Sequence, residues 1–236
     1  MTSAPVTVVI AALDAERFVA EAIRSALDQT LPPERVIVVD DGSQDATADI
    51  AESIDDRVTV LRRAHAGLGP SRNAGIAVAD TPLVAFLDAD DLWLPRKLEL
   101  QVAVLTDDPA LDAVFCLMDE FLDGDAATLA GSRAPRTGCE APLGSAALVR
   151  RHLIDRLGPF VEDRVGDWIR WWSRARALDV AERYVPEVLL RRRIHGANNS
   201  RRYAADHDDV LLEIARAHLR NVRRRSGKGT DGDGPV

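Results

Sequence analysis

Apolar residues come in short blocks along the first half of this chain, and each block gives way to a polar stretch of different period. The run VTVVIAAL, residues 6–13, is continuous and rich in β-branched side chains, the pattern of a strand covered on both faces. Asp14 then stands where a helix N-cap is expected, and Phe18, Val19, Ala22, Ile23, Ala26 and Leu27 recur at helical spacing up to Gln29. RVIVVDDGS (35–43) predicts a second strand, with Ser43 capping a helix that carries Ala46, Ile50 and Ile54 on one face. RVTVLRR (57–63) predicts a third strand, and GPSRNAGIAVAD (69–80) a helix with Pro70 in its first position. LVAFLDADDLW (83–93) predicts a fourth strand that runs out into acids. Strand and helix in strict alternation imply an α/β fold with a mostly parallel, doubly wound sheet and helices on both faces. Ligands of such sheets bind at the carboxyl ends of the strands, where Asp40, Asp41, Asp88 and Asp90 all fall.

Farther along, the pattern predicts a helix over 95–106 and a short strand, AVFCLM, over 113–118. Residues 123–143 have no period and carry several Gly, Pro and Arg residues, which reads as a loop able to close over a bound substrate. SAALVRRHLIDRLG (145–158) reads as a helix stopped by Gly158 and Pro159, and DWIRWWSRARAL (167–178) as another with a Trp168, Trp171, Trp172, Ala175, Leu178 stripe. EVLLRRRI (187–194) reads as a strand or extended segment. Residues 206–225 predict a basic amphipathic helix, and 226–236 a disordered tail, leaving 1–205 as one catalytic domain with its halves meeting near residue 120.

The chain has 236 residues, 46% of them hydrophobic, which suits a single well-buried core. A net charge of -8 argues against a nucleic-acid partner, since such proteins need basic surfaces to displace counterions. Cys116 and Cys139 are too few for a disulfide framework, and no apolar run approaches the about 20 residues that span a bilayer. The expected setting is therefore the cytoplasm. The last helix could rest on an anionic membrane, but its apolar face is more simply explained by docking on the domain or on a second subunit of a homodimer.

Asp88, Asp90 and Asp91 crowd three carboxylates into four positions. One reading is a solvated turn with Asp91 capping the next helix. The other is a cation site, because a hard dication wants carboxylate oxygens and leaves positions open for substrate phosphates. On an extended backbone alternate residues face one side, so Asp88 and Asp90 can address one ligand.

LDADD resembles the D-x-D motif of the family-2 glycosyltransferases, which have the GT-A nucleotide-sugar-binding fold. VIVVDDGSQDAT resembles that family's second strand and turn, and GPSRNAGIAVADTPLVAFLDADD its arginine-bearing helix leading into the D-x-D strand. The resemblance covers roughly residues 5–200. It implies that Asp41 contacts the nucleotide base, Arg72 the base or diphosphate, Asp88 the ribose, and Asp90 a Mn²⁺ or Mg²⁺ ion, with Ala89 between them in the motif. Ala11, Leu13 and Asp14 stand where the family commonly has Pro, an aromatic and Asn around the nucleotide.

GPFVEDRVGDW resembles the family's later segment that supplies the catalytic carboxylate, which implies Asp167 as base, with Glu162 and Asp163 as rivals and Gly166 in place of the usual Glu. An inverting transfer needs a base beside the acceptor nucleophile, since the acceptor proton must leave as the sugar bond forms. Trp168, next to Asp167, would border the acceptor site, while Trp171 and Trp172 would pack. RRRIHGANNS resembles a segment whose His reaches the metal or diphosphate, which implies His195 as a second ligand, with Arg191, Arg192 and Arg193 near the leaving group.

The implied activity is metal-dependent, inverting transfer of a sugar from a nucleotide-sugar, a UDP-sugar foremost, to an acceptor that is a sugar, lipid-linked glycan, small molecule or peptide. A catalytically silent nucleotide-sugar binder is the alternative, because of the altered first strand and Gly166. A sugar nucleotidyltransferase would need a Gly-rich basic loop after strand one, which AALDAERF lacks. The Gly-x-Gly of AGLGPSRNAG is not a dinucleotide fingerprint: it follows the third strand, and Arg72 fills the place of the third Gly.

Overall fold

A computed structural model of the chain describes residues 4–125, 129, 133–140, 142–162, 166–196 and 198. The first half follows the predicted alternation. Strands β1 (Val6–Ala12), β2 (Arg35–Asp40), β3 (Val58–Arg62) and β4 (Leu83–Asp88) lie parallel in the order β3-β2-β1-β4. Helices α1 (Val19–Leu27), α2 (Thr47–Glu52) and α3 (Leu68–Val78) make the crossovers. Every residue of β1 is buried, so helices cover both faces of the sheet there, as its unbroken apolar run requires.

Beyond β4 the sheet turns mixed. Next in chain order come β5 (Leu92–Trp93), α4 (Lys97–Asp107), β6 (Ala113–Leu122), β7 (Cys139–Glu140), a 3-10 turn (Gly144–Ala146), β8 (Leu148–Arg150), α5 (Arg151–Leu157), α6 (Asp167–Ala177) and β9 (Glu182–Ile194). The full order is β3-β2-β1-β4-β8-β6-β9-β5, with β7 paired to β6. β8 runs antiparallel to both β4 and β6, whereas β9 runs parallel to β6.

Several expectations need correcting. Asp14 does not cap α1: it sits at φ 47°, and its Oδ1 accepts from the Gln44 N–H at 2.8 Å. Ser43 does not cap α2 either, because its Oγ accepts from the Asp14 N–H at 3.0 Å, while Asp45 accepts from the Thr47 N–H at 3.0 Å. Both residues stitch the β1 and β2 loops together instead. Pro70 is the third residue of α3, still inside the first turn whose N–H groups have no intrahelical partner.

The segment 145–158 is not one helix. Its first part forms β8, which closes the gap between β4 and β6, and only Arg151–Leu157 is helical, ending as expected at Gly158 with φ 74°. Asp91 caps nothing, since α4 starts at Lys97; it is buried, and its Oδ1 accepts from the Arg193 N–H at 3.1 Å.

Within 123–143, the part from Arg133 to Glu140 is fastened along β6: the Glu120 N–H donates to the Arg136 carbonyl at 2.8 Å, and the Gly138 N–H to Asp119 at 2.8 Å. The predicted helix over 206–225 and the tail lie outside the described residues. Among the described residues no helix is long and apolar enough to cross a membrane.

Candidate active site

The chain leaves β1 toward β2 and β3 on one side and later returns to β4 on the other, so a topological switch point lies at the carboxyl ends of β1 and β4. Parallel register sets Ala11 beside Asp88 and Ala12 beside Asp40 there. Ala11 is buried, while Leu13 stands 43% exposed on the rim, next to exposed Asp14. Asp41, buried just beyond β2, accepts from the Ala66 N–H at 2.9 Å, the Gly67 N–H at 2.8 Å and His65 Nδ1 at 2.8 Å. These bonds tie the start of α3 to the end of β2 and so place Arg72 in the second turn of that helix.

Arg72 joins three elements. Its Nη2 donates to Asp88 Oδ1 at 2.7 Å, and its Nη1 donates to Asp167 Oδ2. Arg72 and Asp167 are each 4% exposed, whereas the Asp88 side chain opens 44% to the cleft. Burial works against the Arg72 charge, but the two carboxylates outweigh it and hold the guanidinium above its ordinary pKa. Asp167 is the first residue of α6, behind Gly166 in the left-handed region at φ 80°. α3 approaches the segment leading to α6 so closely that a Cβ on Gly69 would run into the Val161 carbonyl.

Asp90 meets the end of β9. Its Oδ2 lies 3.0 Å from His195 Nε2 and accepts from Asn198 Nδ2 at 2.9 Å, while Asn198 Oδ1 accepts from the His195 N–H at 2.5 Å. Phe18 packs on the His195 ring with centroids 4.5 Å apart. The Arg193 Nε donates to the Asp90 carbonyl at 2.9 Å, its Nη2 to Glu21 at 2.5 Å and its Nη1 to Asp123. Arg193 therefore braces the acidic turn rather than facing a leaving group. Ala89 is buried within that turn. Burial first, then Asp90 and Asp88, push the Asp91 carboxyl well above the usual range, with Arg192 opposing.

Asp41, Arg72, Asp88, Asp90, Asp167 and His195 thus converge on one edge of the sheet. Trp168 does not join them on the wall: it is buried among Phe86, Phe160, Trp171 and Trp172, with its Nε1 donating to the Pro142 carbonyl at 2.5 Å. Asn198 was missed from sequence, although it closes the same R-x-H-G-x-N string that singled out His195.

Among the described residues no group of three or more His, Cys, Asp or Glu could hold a metal ion alone. Asp90 and His195 nonetheless fit a shared ion. Two cis ligands each about 2.1 Å from one octahedral ion stand about 3.0 Å apart, which is the Oδ2 to Nε2 separation. Such ions are commonly completed by substrate phosphates and water.

The sequence model of Glycosyl transferase family 2 matches residues 7–155. An uncharacterized glycosyltransferase of Nostoc is 30% identical over 221 residues, 82% of this chain and 66% of the relative. A UDP-Glc:α-D-GlcNAc-diphosphoundecaprenol β-1,3-glucosyltransferase of Escherichia coli is 33% identical over 102 residues, 42% of this chain and 40% of the relative. The chain spans just under two thirds of the length of the Nostoc relative and of two Rickettsia glycosyltransferases, at 66%, 65% and 65%. In fold it is similar to S. aureus TarS solved with UDP-GlcNAc, with a TM-score of 0.73 at 19% identity over 89% of this chain and 65% of that one.

Proposed function

The chain belongs to glycosyl transferase family 2, and on that premise we propose that it moves a sugar from a UDP-sugar to a lipid-linked glycan acceptor with inversion at the anomeric carbon. The observation that carries this reading is the Asp90–His195 pair, 3.0 Å apart, set beside Arg72 and Asp88 at the switch point. The similarity to a glucosyltransferase whose named acceptor is a diphosphoundecaprenol-linked sugar supports the acceptor class. Cys116 and Cys139 are both unpaired, which suits a reducing cytoplasm.

Asp90 and His195 would hold a Mn²⁺ or Mg²⁺ ion, which when bound supplies charge neutralisation to the departing diphosphate. Asp88, open to the cleft, receives the donor's ribose, and Arg72 fixes Asp88 from behind. Asp41 keeps the loop before α3 in place, where Leu13, Asp14 and the Ala11 backbone border the nucleotide. Asp167 accepts the proton of the acceptor hydroxyl as its oxygen bonds to the anomeric carbon and the bond from that carbon to the phosphate oxygen breaks, releasing UDP.

Release of UDP and formation of product, measured with UDP-, GDP- and dTDP-sugars and Mn²⁺ in the presence of diphospholipid-linked sugars, test the reading. UDP-sugars alone are expected to turn over, and Asp90→Ala and Asp167→Ala to lose at least a hundredfold in rate. Unchanged rates in both variants would reject the site. A silent donor-binding protein is the second reading, favoured by the closed Arg72–Asp167 pair; it predicts donor binding with no turnover on any acceptor.

A further inference from the structure

On its β8 side, the last stretch of β4 runs out of strand partner. β8 is three residues long and pairs with Leu83, Val84 and Ala85, so it stops before the ligand edge is reached. At that edge the Asp88 N–H donates to Ser145 Oγ at 3.0 Å, a side-chain oxygen standing where a further strand would have placed a carbonyl. Ser145 is fully buried in the 3-10 turn ahead of β8.

Three side chains spaced four apart along β5 and α4 hold that turn by its successive carbonyls. Trp93 Nε1 donates to the Ser145 carbonyl at 2.8 Å, Gln101 Nε2 to that of Ala146 at 2.8 Å, and Lys97 Nζ to that of Ala147 at 3.4 Å. Lys97 Nζ also donates to Gln101 Oε1 at 2.9 Å, and both residues are fully buried. A core needs volume, which apolar side chains would fill without the cost of burying an ammonium. A buried amide and ammonium add direction instead, because each donor sets the distance and angle of the carbonyl it meets.

The turn is confined on its other side as well. A Cβ on Gly144 would come within 3.2 Å of Trp168 Cε3 and 3.8 Å of Arg72 Nη2, the same nitrogen that donates to Asp88 Oδ1. Asp88 is therefore held twice, its carboxylate by Arg72 and its main chain by Ser145, and one turn lies beside both holds.

We propose that Ser145 is a positioning residue of the donor site: it fixes the main chain of Asp88 so that the carboxylate meets the ribose, while Trp93, Lys97 and Gln101 fix Ser145. The assignment rests on the ribose role given to Asp88 above and adds to it the residues that aim that carboxylate.

The test is calorimetry on the full chain with Mn²⁺ and two probes, UDP and 2′,3′-dideoxy-UDP, which lacks both ribose hydroxyls. The wild type is expected to bind UDP about tenfold more tightly or better, the weight of a hydrogen bond to a charged group. In Ser145→Ala that preference should shrink to about threefold or less, since a misaimed carboxylate keeps only part of that bond. A serine that merely stabilised the fold would weaken both probes alike, so an unchanged ratio overturns the proposal however far the melting temperature falls. Ser145→Cys, close in size and with a sulfur that accepts only weakly, should give an intermediate ratio. If near-UV circular dichroism shows Ser145→Ala misfolded, a wild-type ratio in Ser145→Cys overturns the proposal in its place. Asp88→Ala separates the two claims: it should abolish the preference altogether. A preference that survives Asp88→Ala, or none in the wild type, sinks the ribose role of Asp88 and the proposal with it.

Discussion

Arg72 and Asp167 form a closed ion pair, both 4% exposed, and the same guanidinium reaches Asp88 on the open side of the cleft. One side chain thus joins the carboxylate proposed for the donor side to the one proposed as the base. Arg72→Met should strand both, and breaking a buried pair by removing one partner costs about 3–5 kcal/mol. Urea unfolding should show that loss, and Arg72→Lys, with one point charge for two carboxylates, should recover only part of it.

Asn198→Ala should weaken Mn²⁺ binding by roughly 10–100-fold, the usual effect of removing a group that orients a metal ligand. Asn198 holds the Asp90 carboxylate and the His195 backbone together, so the variant loses alignment and keeps both ligands. Electron paramagnetic resonance of Mn²⁺ with UDP present measures the affinity. No change would mean that Asp90 and His195 hold their positions without it.

Gly69→Ala should destabilise the protein by roughly 1–3 kcal/mol, the typical cost of overpacking. The new methyl group meets the Val161 carbonyl and lies beside the Asp167 Cβ, so the rate of transfer should fall along with the melting temperature. Gly158→Ala tests the opposite case, since nothing stands near a Cβ there and only the φ of 74° resists it.

Acid should unfasten the loop through Glu120. Burial opposes the Glu120 charge, but its bonds to Arg133 and Arg136 outweigh it. Its pKa falls from an ordinary 4.5 to about 2 on folding, so its contribution is fully present above about pH 4.5 and is lost as pH drops toward 2. The shift corresponds to about 3 kcal/mol at most. Subtracting the pH–stability curve of Glu120→Gln from that of the wild type should give a step confined to that window.

Lys97 works with the opposite sign. It is fully buried over the Trp93 ring at 4.0 Å and donates to Gln101 at 2.9 Å, and burial lowers its pKa from 10.5 to about 8. Between those values the unfolded chain binds the extra proton, so stability attributable to Lys97 rises with pH from about 8 to 10.5. Lys97→Met should therefore be more stable than the wild type near neutral pH, with the advantage shrinking above pH 8.

The parallel half of the fold was legible because its strands are buried on both faces and show as unbroken β-branched runs. Local signals failed where partners are remote. Asp14 and Ser43 look like caps in sequence, but each spends its side chain on the other's loop. Asp91 looked like a cap because its partner, the Arg193 N–H, comes from β9. β8 was hidden because three strand residues run straight into α5, too few to show a period of two. Of the candidate site, Asp88, Asp90, Asp167 and His195 were singled out by motif resemblance, whereas the Arg72–Asp167 contact and the burial of Trp168 depend on how α3 meets α6.

β9 enters the sheet between β6 and β5, after every other described strand has left the ribosome. It brings Arg193, His195 and, just past its end, Asn198 to an acidic turn translated long before. A nascent chain that halts before Glu182 has Arg72 for Asp88 but none of the side chains that hold Asp90. The place proposed for the metal ion is thus the final part of the sheet edge to be completed, by the last of the described strands.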